Sequence, residues 1–163
     1  LGKIYFPRVI FPLTPVLAKL VDFAISMILI LAAMIYFRVS LTWNIIYLPL
    51  FVALMILVPT GVGLWLSALA IRFRDVKFAM TFVVRMLMYT APIVYTATAI
   101  PDSIRFYYSL NPLVAVIEGF RASILGTPIP WEFVVPGVVT SFVLVFTGLI
   151  YFRRLEKVFV DVI

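Results

Sequence analysis

Residues 44–71 read NIIYLPLFVALMILVPTGVGLWLSALAI, and no charged side chain interrupts them. At 1.5 Å per residue a helix over this stretch reaches about 40 Å, enough to cross a hydrocarbon core of about 30 Å. Three further runs have the same character. Residues 16–37 carry Lys19 and Asp22 in their first turns and then no charge, residues 78–99 are interrupted by Arg85, and residues 133–152 are uncharged. The pattern predicts an all-α polytopic membrane protein with four transmembrane helices in a single domain. Composition agrees: 65% of the 163 residues are hydrophobic and 12% charged, against about 45–50% and about 25% in an ordinary globular domain. A soluble fold could not hide that much apolar surface.

The chain has no Cys and no His, which removes disulfides, thiolate nucleophiles, imidazole bases and the usual zinc ligands together. A net charge of +6 would suggest nucleic acid in a soluble protein, but basic residues flanking apolar spans are what membrane orientation requires. Nucleic acid is therefore not an expected partner, whereas membrane lipid is. Lys3, Arg8, Lys19, Arg72, Arg74, Lys77, Arg85, Arg153, Arg154 and Lys157 fall on one side of the four-span arrangement, and Arg38, Arg105 and Arg121 on the other. The positive-inside rule then places both ends of this chain in the cytoplasm. The sequence opens on Leu1 with no basic segment leading into a short apolar core, so it is expected to begin within a longer protein.

Residues 100–127 contain Asp102, Arg105, Glu118 and Arg121 and are divided by Asn111-Pro112, so neither half is long enough to cross. They are expected to form a short extracytoplasmic helical hairpin before the last span. Pro101 suits a first helical turn and Gly126 a helix stop. Leu113, Val116, Ile117, Phe120 and Ile124 share one helical face. That face is expected to lie on the membrane or the bundle, with Glu118 and Arg121 turned toward water or toward each other. Residues 1–15, basic and aromatic at first and then rich in proline, read as an interfacial or docking element outside the span.

There is no G-x-x-x-x-G-K-[ST] loop, and the seven carboxylates are scattered, so neither Walker-type nucleotide binding nor a paired-acid site is expected. Ionisable residues within spans are costly and mark functional candidates. Lys19 and Asp22 stand three apart and can pair on one face, which at a membrane interface is also an ordinary structural feature. Arg85 either snorkels to headgroups or faces a wet cavity. Trp65, Tyr89 and Tyr95 lie within spans, where they either pack or offer aromatic faces and hydroxyls to a passing sugar chain. Gly61 and Gly63 beside Pro59 allow close packing or a kink.

Several strings, in order, resemble the permease subunits of ABC transporters that export polysaccharide, lipid-linked O-antigen or teichoic acid. Lys3-Ile4-Tyr5-Phe6-Pro7-Arg8, followed by Pro12-Leu13-Thr14 and Leu20-Val21-Asp22-Phe23, is similar to the family's cytoplasmic entry to a span. Arg72-Phe73-Arg74-Asp75-Val76 resembles its second cytoplasmic turn. Ala91-Pro92-Ile93-Val94-Tyr95 is similar to S-P-V-x-Y with Ala91 in place of Ser, and Leu110-Asn111-Pro112 through Ile117-Glu118-Gly119-Phe120-Arg121 resembles the element before the last span. The ending from Tyr151 to Ile163 also matches. Arg85 stands where an uncharged polar residue is usual, and the family's six spans are here four.

The resemblance implies a homodimer of permeases around a central channel, driven by separate ABC ATP-binding subunits that hold ATP and Mg, with no cofactor and no catalytic or metal site on this chain. Tyr5, Phe6, Arg8, Arg72, Arg74 and Asp75 would couple to the ATPase. Trp65, Arg85, Tyr89 and Tyr95 would line the translocation pathway, and Asn111, Pro112, Glu118 and Arg121 would belong to an outer gate. The setting would be the cytoplasmic (inner) membrane of a bacterium or archaeon. A drug or lipid exporter of the same architecture, a non-transporting scaffold and a membrane transferase stand beside this reading. The transferase would need a carboxylate cluster that the sequence lacks.

Overall fold

A computed structural model describes residues 10–73 and 75–160 and is all-helical over them, with no strand among the described residues. The helices are α1 (Ile10–Tyr36), α2 (Leu48–Arg72), α3 (Val76–Thr90), α4 (Asp102–Ser109), α5 (Pro112–Leu125) and α6 (Trp131–Val160), with short 3-10 turns at Trp43–Tyr47 and Ala97–Ala99. Among the described residues, three segments are long and apolar enough to cross a membrane: Thr14–Tyr36, Trp43–Ala70 and Trp131–Leu155.

Two expected boundaries shift. α1 begins at Ile10 and runs through Pro15, so residues 10–15 are helical and continuous with the candidate span, which opens at Thr14. Pro12 falls among the first four residues, whose N–H groups have no intrahelical partner, whereas Pro15 at the sixth position gives up one bond of the helix ladder. The run expected to be helical over residues 78–99 stops at Thr90, and Ala91 is extended at φ −81°, ψ 139°. Pro92 favours this stop, since its ring disfavours the helical conformation of the residue before it. The 15 residues of α3 rise about 22 Å, short of a hydrocarbon core.

Helix ends follow local chemistry. α1 closes in a Schellman-type turn, with the Val39 N–H donating to the Met34 carbonyl (2.9 Å) and the Arg38 N–H to Ile35 (3.2 Å). This places Arg38 in the left-handed region at φ 56°, a position usually given to glycine. α5 ends on Gly126 at φ 72°, whose N–H donates to Ala122 at 3.0 Å. A side chain there would also strike Thr42. The Asn44 side-chain amide donates to the Thr127 carbonyl at 2.7 Å, joining the loop after α1 to the loop after α5. Pro101 sits one residue ahead of α4, as its N-cap.

α2 and α6 form the most extensive pairing, and α5 packs against both. In lipid, where apolar surface gains little by leaving its solvent, helices associate through close van der Waals contact, which small residues permit. A Cβ on Gly61 would lie 3.0 Å from the Val145 backbone nitrogen, and one on Gly148 would lie 3.2 Å from the Gly61 carbonyl oxygen. These two glycines therefore let the α2 and α6 backbones approach. At the other end of the seam, Phe51, Leu54, Val58, Val116 and Val134 form a buried cluster joining α2, α5 and α6.

α5 is buried on more sides than a single apolar stripe implies. Its innermost residues are Val114, Ala115, Val116, Glu118, Gly119, Ala122 and Ser123; Leu113, Ile117, Phe120 and Ile124 are only half-buried. The small residues Ala115, Gly119, Ala122 and Ser123 follow helical spacing and permit this insertion. Depth can be read from contacts. A Cβ on Gly137, six residues into α6, would come within 2.3 Å of the Ala115 Cβ and 3.6 Å of the Pro112 Cα. The Asn111-Pro112 corner thus reaches inward along α6, and the hairpin does not simply rest on the end of the bundle.

Candidate functional site

α5 begins where its sequence says it should. Asn111 is the N-cap, its side-chain oxygen accepting from the Leu113 N–H at 3.0 Å, and Pro112 takes the first helical position. Six residues on, the helix carries Glu118 and, one turn later, Arg121. Placed three apart they share a face, and they pair at 2.5 Å with side chains only 10% and 23% exposed. Of the two orientations expected for them, the structure adopts the one in which they meet.

Neither side chain is satisfied by the pair alone. Glu118 also accepts a hydrogen bond from the Ala97 N–H at 2.6 Å, while Arg121 donates through Nη2 to the Pro92 carbonyl at 2.7 Å and the Ile93 carbonyl at 3.3 Å. These partners are backbone groups of the non-helical stretch after α3. Buried charges persist only when paired and hydrogen-bonded in this way. Beside the cluster, Tyr108 of α4 donates to the Tyr95 hydroxyl at 3.0 Å. Burial, and then the bond to Tyr95, pushes the Tyr108 phenol above its ordinary range, so it stays protonated. The cluster thus ties together α4, α5 and the stretch between α3 and α4.

An adjoining cleft of about 490 Å³ opens between the end of α3 and the hairpin corner, lined by Leu87, Thr90, Ile104, Tyr107, Tyr108, Asn111 and Pro112. All four residues expected at an outer gate, Asn111, Pro112, Glu118 and Arg121, are therefore within this one hairpin, two at its corner and two in its polar cluster.

The pathway candidates lie in different places. Trp65 occupies the α2–α6 seam, its indole N–H donating to the Thr147 hydroxyl at 3.1 Å and its ring stacked on Tyr151 with centroids 5.0 Å apart. Arg85 and Tyr89 lie on the exposed surface of α3, Tyr89 at 77%, and Tyr95 belongs to the cluster just described. Lys19 and Asp22 form their expected pair at 2.7 Å, with side chains 80% and 64% exposed. Lys19 also lines a shallow groove with Val16, Leu20, Phe23, Met55, Ile56 and Pro59. Of the coupling candidates, Arg72 lies with its guanidinium 5.5 Å from the centre of the Phe73 ring. Asp75 precedes α3, its backbone carbonyl accepting from Phe78 and Ala79. Tyr5, Phe6, Arg8 and Arg74 lie outside the described residues.

Sequence reasoning missed the backbone half of the cluster, the Pro92 and Ile93 carbonyls and the Ala97 N–H, because a carbonyl that accepts from a distant arginine carries no side-chain signature. It also missed Gly119 and Phe51. A glycine inside a helical pattern is a signal for close backbone approach, and Gly119 between Glu118 and Phe120 was legible on that ground.

Residues 5–125 match the family model described as ABC-2 type transporter. The chain is 25% identical over 99% of its length to an O-antigen export system permease protein of Klebsiella pneumoniae, of which it covers 62%. It is likewise 25% identical over 75% of its length to an O-antigen export system permease protein of Myxococcus xanthus, of which it covers 48%. The chain thus spans about three fifths of the length of the Klebsiella relative. With a family match across most of its residues and, among the described residues, three helices of spanning length and apolarity, the chain is a membrane protein and belongs to the ABC-2 type transporter family.

Proposed function

We propose that this chain is part of the permease subunit of an ATP-driven ABC exporter that moves a polysaccharide or lipid-linked glycan, of the O-antigen kind, out of the cytoplasm. The observation that carries the reading is the similarity to O-antigen export permeases along 99% of the chain, joined to an all-helical architecture in which α5 packs against the long apolar helices α2 and α6. The printed function of those relatives favours a glycan over a drug or small lipid; teichoic acid remains a chemically similar cargo.

In this reading α1, α2 and α6 cross the membrane, and α3 with residues 91–99 supplies the fourth crossing. The excess of Lys and Arg around the α2–α3 turn and toward the C-terminal end of α6 orients that end toward the cytoplasm. The α4–α5 hairpin then faces outward as a gate, with Asn111-Pro112 at its inserted corner. Arg85, Tyr89 and Tyr95 face the pathway of a dimer formed with a second copy, while Trp65 holds α2 to α6 behind it. ATP and Mg bind a separate subunit. Its binding energy reaches this chain as a shift between closed and open arrangements, which requires contacts that differ between the two. Tyr5, Phe6 and Arg8, with Arg72, Arg74 and Asp75, supply those contacts.

Affinity capture of the full permease with its ATPase tests the coupling assignment. Arg8→Glu is expected to reduce the co-purified ATPase about tenfold while membrane insertion is unchanged, because a surface tuned to a cation meets repulsion. Normal capture by this variant would remove the assignment. Failure of the wild-type permease to retain any ATPase would favour a non-transporting scaffold.

A further inference from the structure

α3 ends at Thr90, although the apolar run of the sequence continues to Ala99. The backbone beyond the helix has no ladder of its own, so its carbonyls and N–H groups must find other partners. Three of them are taken by two side chains of a different element. Arg121 reaches the Pro92 and Ile93 carbonyls, and Glu118 takes the Ala97 N–H.

Packing gives the middle of this stretch little hold. Ile93 is 56% and Val94 96% exposed, whereas Ala91, Pro92 and Ala97 at its two ends are buried. The polar grips fall at those ends. They are also interdependent, because one guanidinium serves both the carboxylate and the carbonyls, and one carboxylate oxygen serves both the guanidinium and the N–H. The planar fork of arginine suits this double engagement, and a lysine could not span it.

We propose that Glu118 and Arg121 form a latch on the backbone of residues 91–97, fixing the tip of α3 to α5 so that the α3 tip and the α4–α5 hairpin move as one body. Opening the latch frees both ends of the 91–97 stretch together, since neither charged group keeps its full set of partners without the other. Tyr108, which donates to Tyr95 within the same stretch, is a second and weaker tie from α4. Arg121 and Glu118 act here as positioning residues. The inference concerns the chain's own backbone and stands whatever the exported cargo is.

Hydrogen exchange on the full permease in lipid nanodiscs tests it, with a peptide covering residues 93–99 as the readout and one covering 51–58 in α2 as an internal control. Arg121→Lys keeps the positive charge but loses the fork, and is expected to raise exchange in 93–99 at least about tenfold, as the loss of a charge-assisted hydrogen bond would. The double variant Glu118→Arg with Arg121→Glu restores opposite charges but exchanges donor and acceptor, so neither backbone grip can re-form. Exchange in 93–99 is expected to remain as fast as in the lysine variant. Recovery of wild-type exchange by the double variant would show an ordinary ion pair and overturn the latch, as would unchanged exchange in Arg121→Lys. If the control peptide also exchanges faster in the double variant, Arg121→Lys decides the matter alone.

Discussion

Replacing Gly119 with valine is expected to leave little folded permease in the membrane. A Cβ at this position would lie 2.1, 2.2 and 2.5 Å from three ring carbons of Phe51, and Phe51 is fully buried in the cluster that joins α2, α5 and α6. Helix propensity alone favours the change, since glycine inside a helix costs about 0.5–1 kcal/mol relative to alanine. The steric term opposes it and is larger, because overpacking a core costs about 1–3 kcal/mol and the fully buried Phe51 ring must shift against its neighbours to make room. Valine adds two further methyl groups to the clash. Gly119→Ala combined with Phe51→Leu should recover folded protein, because the shorter side chain vacates the space that the new Cβ needs. Thermal unfolding in detergent with size-exclusion recovery measures both. A Gly119→Val variant that assembles and melts like wild type would mean that α5 does not sit against α2 as described.

Glu118→Ala is expected to be nearly as damaging, for an electrostatic reason. It leaves Arg121 as a largely buried cation without its carboxylate and the Ala97 N–H without an acceptor. Removing one member of a buried ion pair typically costs about 3–5 kcal/mol, more than the pair itself contributes, because the remaining charge keeps its desolvation penalty. Glu118→Gln should be milder, since its side-chain oxygen can still accept from Ala97. The expected order of thermal stability is wild type, then Gln, then Ala. An alanine variant as stable as wild type would contradict the buried placement of the pair.

Spans governed by composition were readable from the chain alone. α2 and α6 are long, uncharged runs, and lipid imposes helix on such runs because no other open structure satisfies the backbone. The hairpin was readable too, since Asn111-Pro112 divides it and Gly126 ends it. The end of α3 was harder to see. A proline biases the residue before it away from the helix, yet prolines at positions 15, 59 and 136 lie inside helices here, so local chemistry alone does not decide which proline ends one. What distinguishes Pro92 is tertiary: its carbonyl is held by an arginine 29 residues away.

The site divides in the same way. Glu118 and Arg121 stood out as charges on an apolar helix, and their spacing made the pair readable. Their grip on backbone groups was not, because those groups are common to every residue. The depth of α5 was misjudged for a related reason. Ala115, Gly119, Ala122 and Ser123 count as weakly apolar or polar on any hydropathy scale, but between lipid-embedded helices their small size makes them the deepest face.

The most direct test of the account is delivery of glycan to the cell surface by the full permease, expressed with its ATPase in cells lacking their own exporter. Surface glycan is expected with wild-type permease, none with an ATPase unable to hydrolyse ATP, and a loss of at least about tenfold with Arg121→Lys, whose protein remains in the membrane. Surface glycan at wild-type levels with the inactive ATPase would contradict an ATP-driven permease and leave this chain a role other than export.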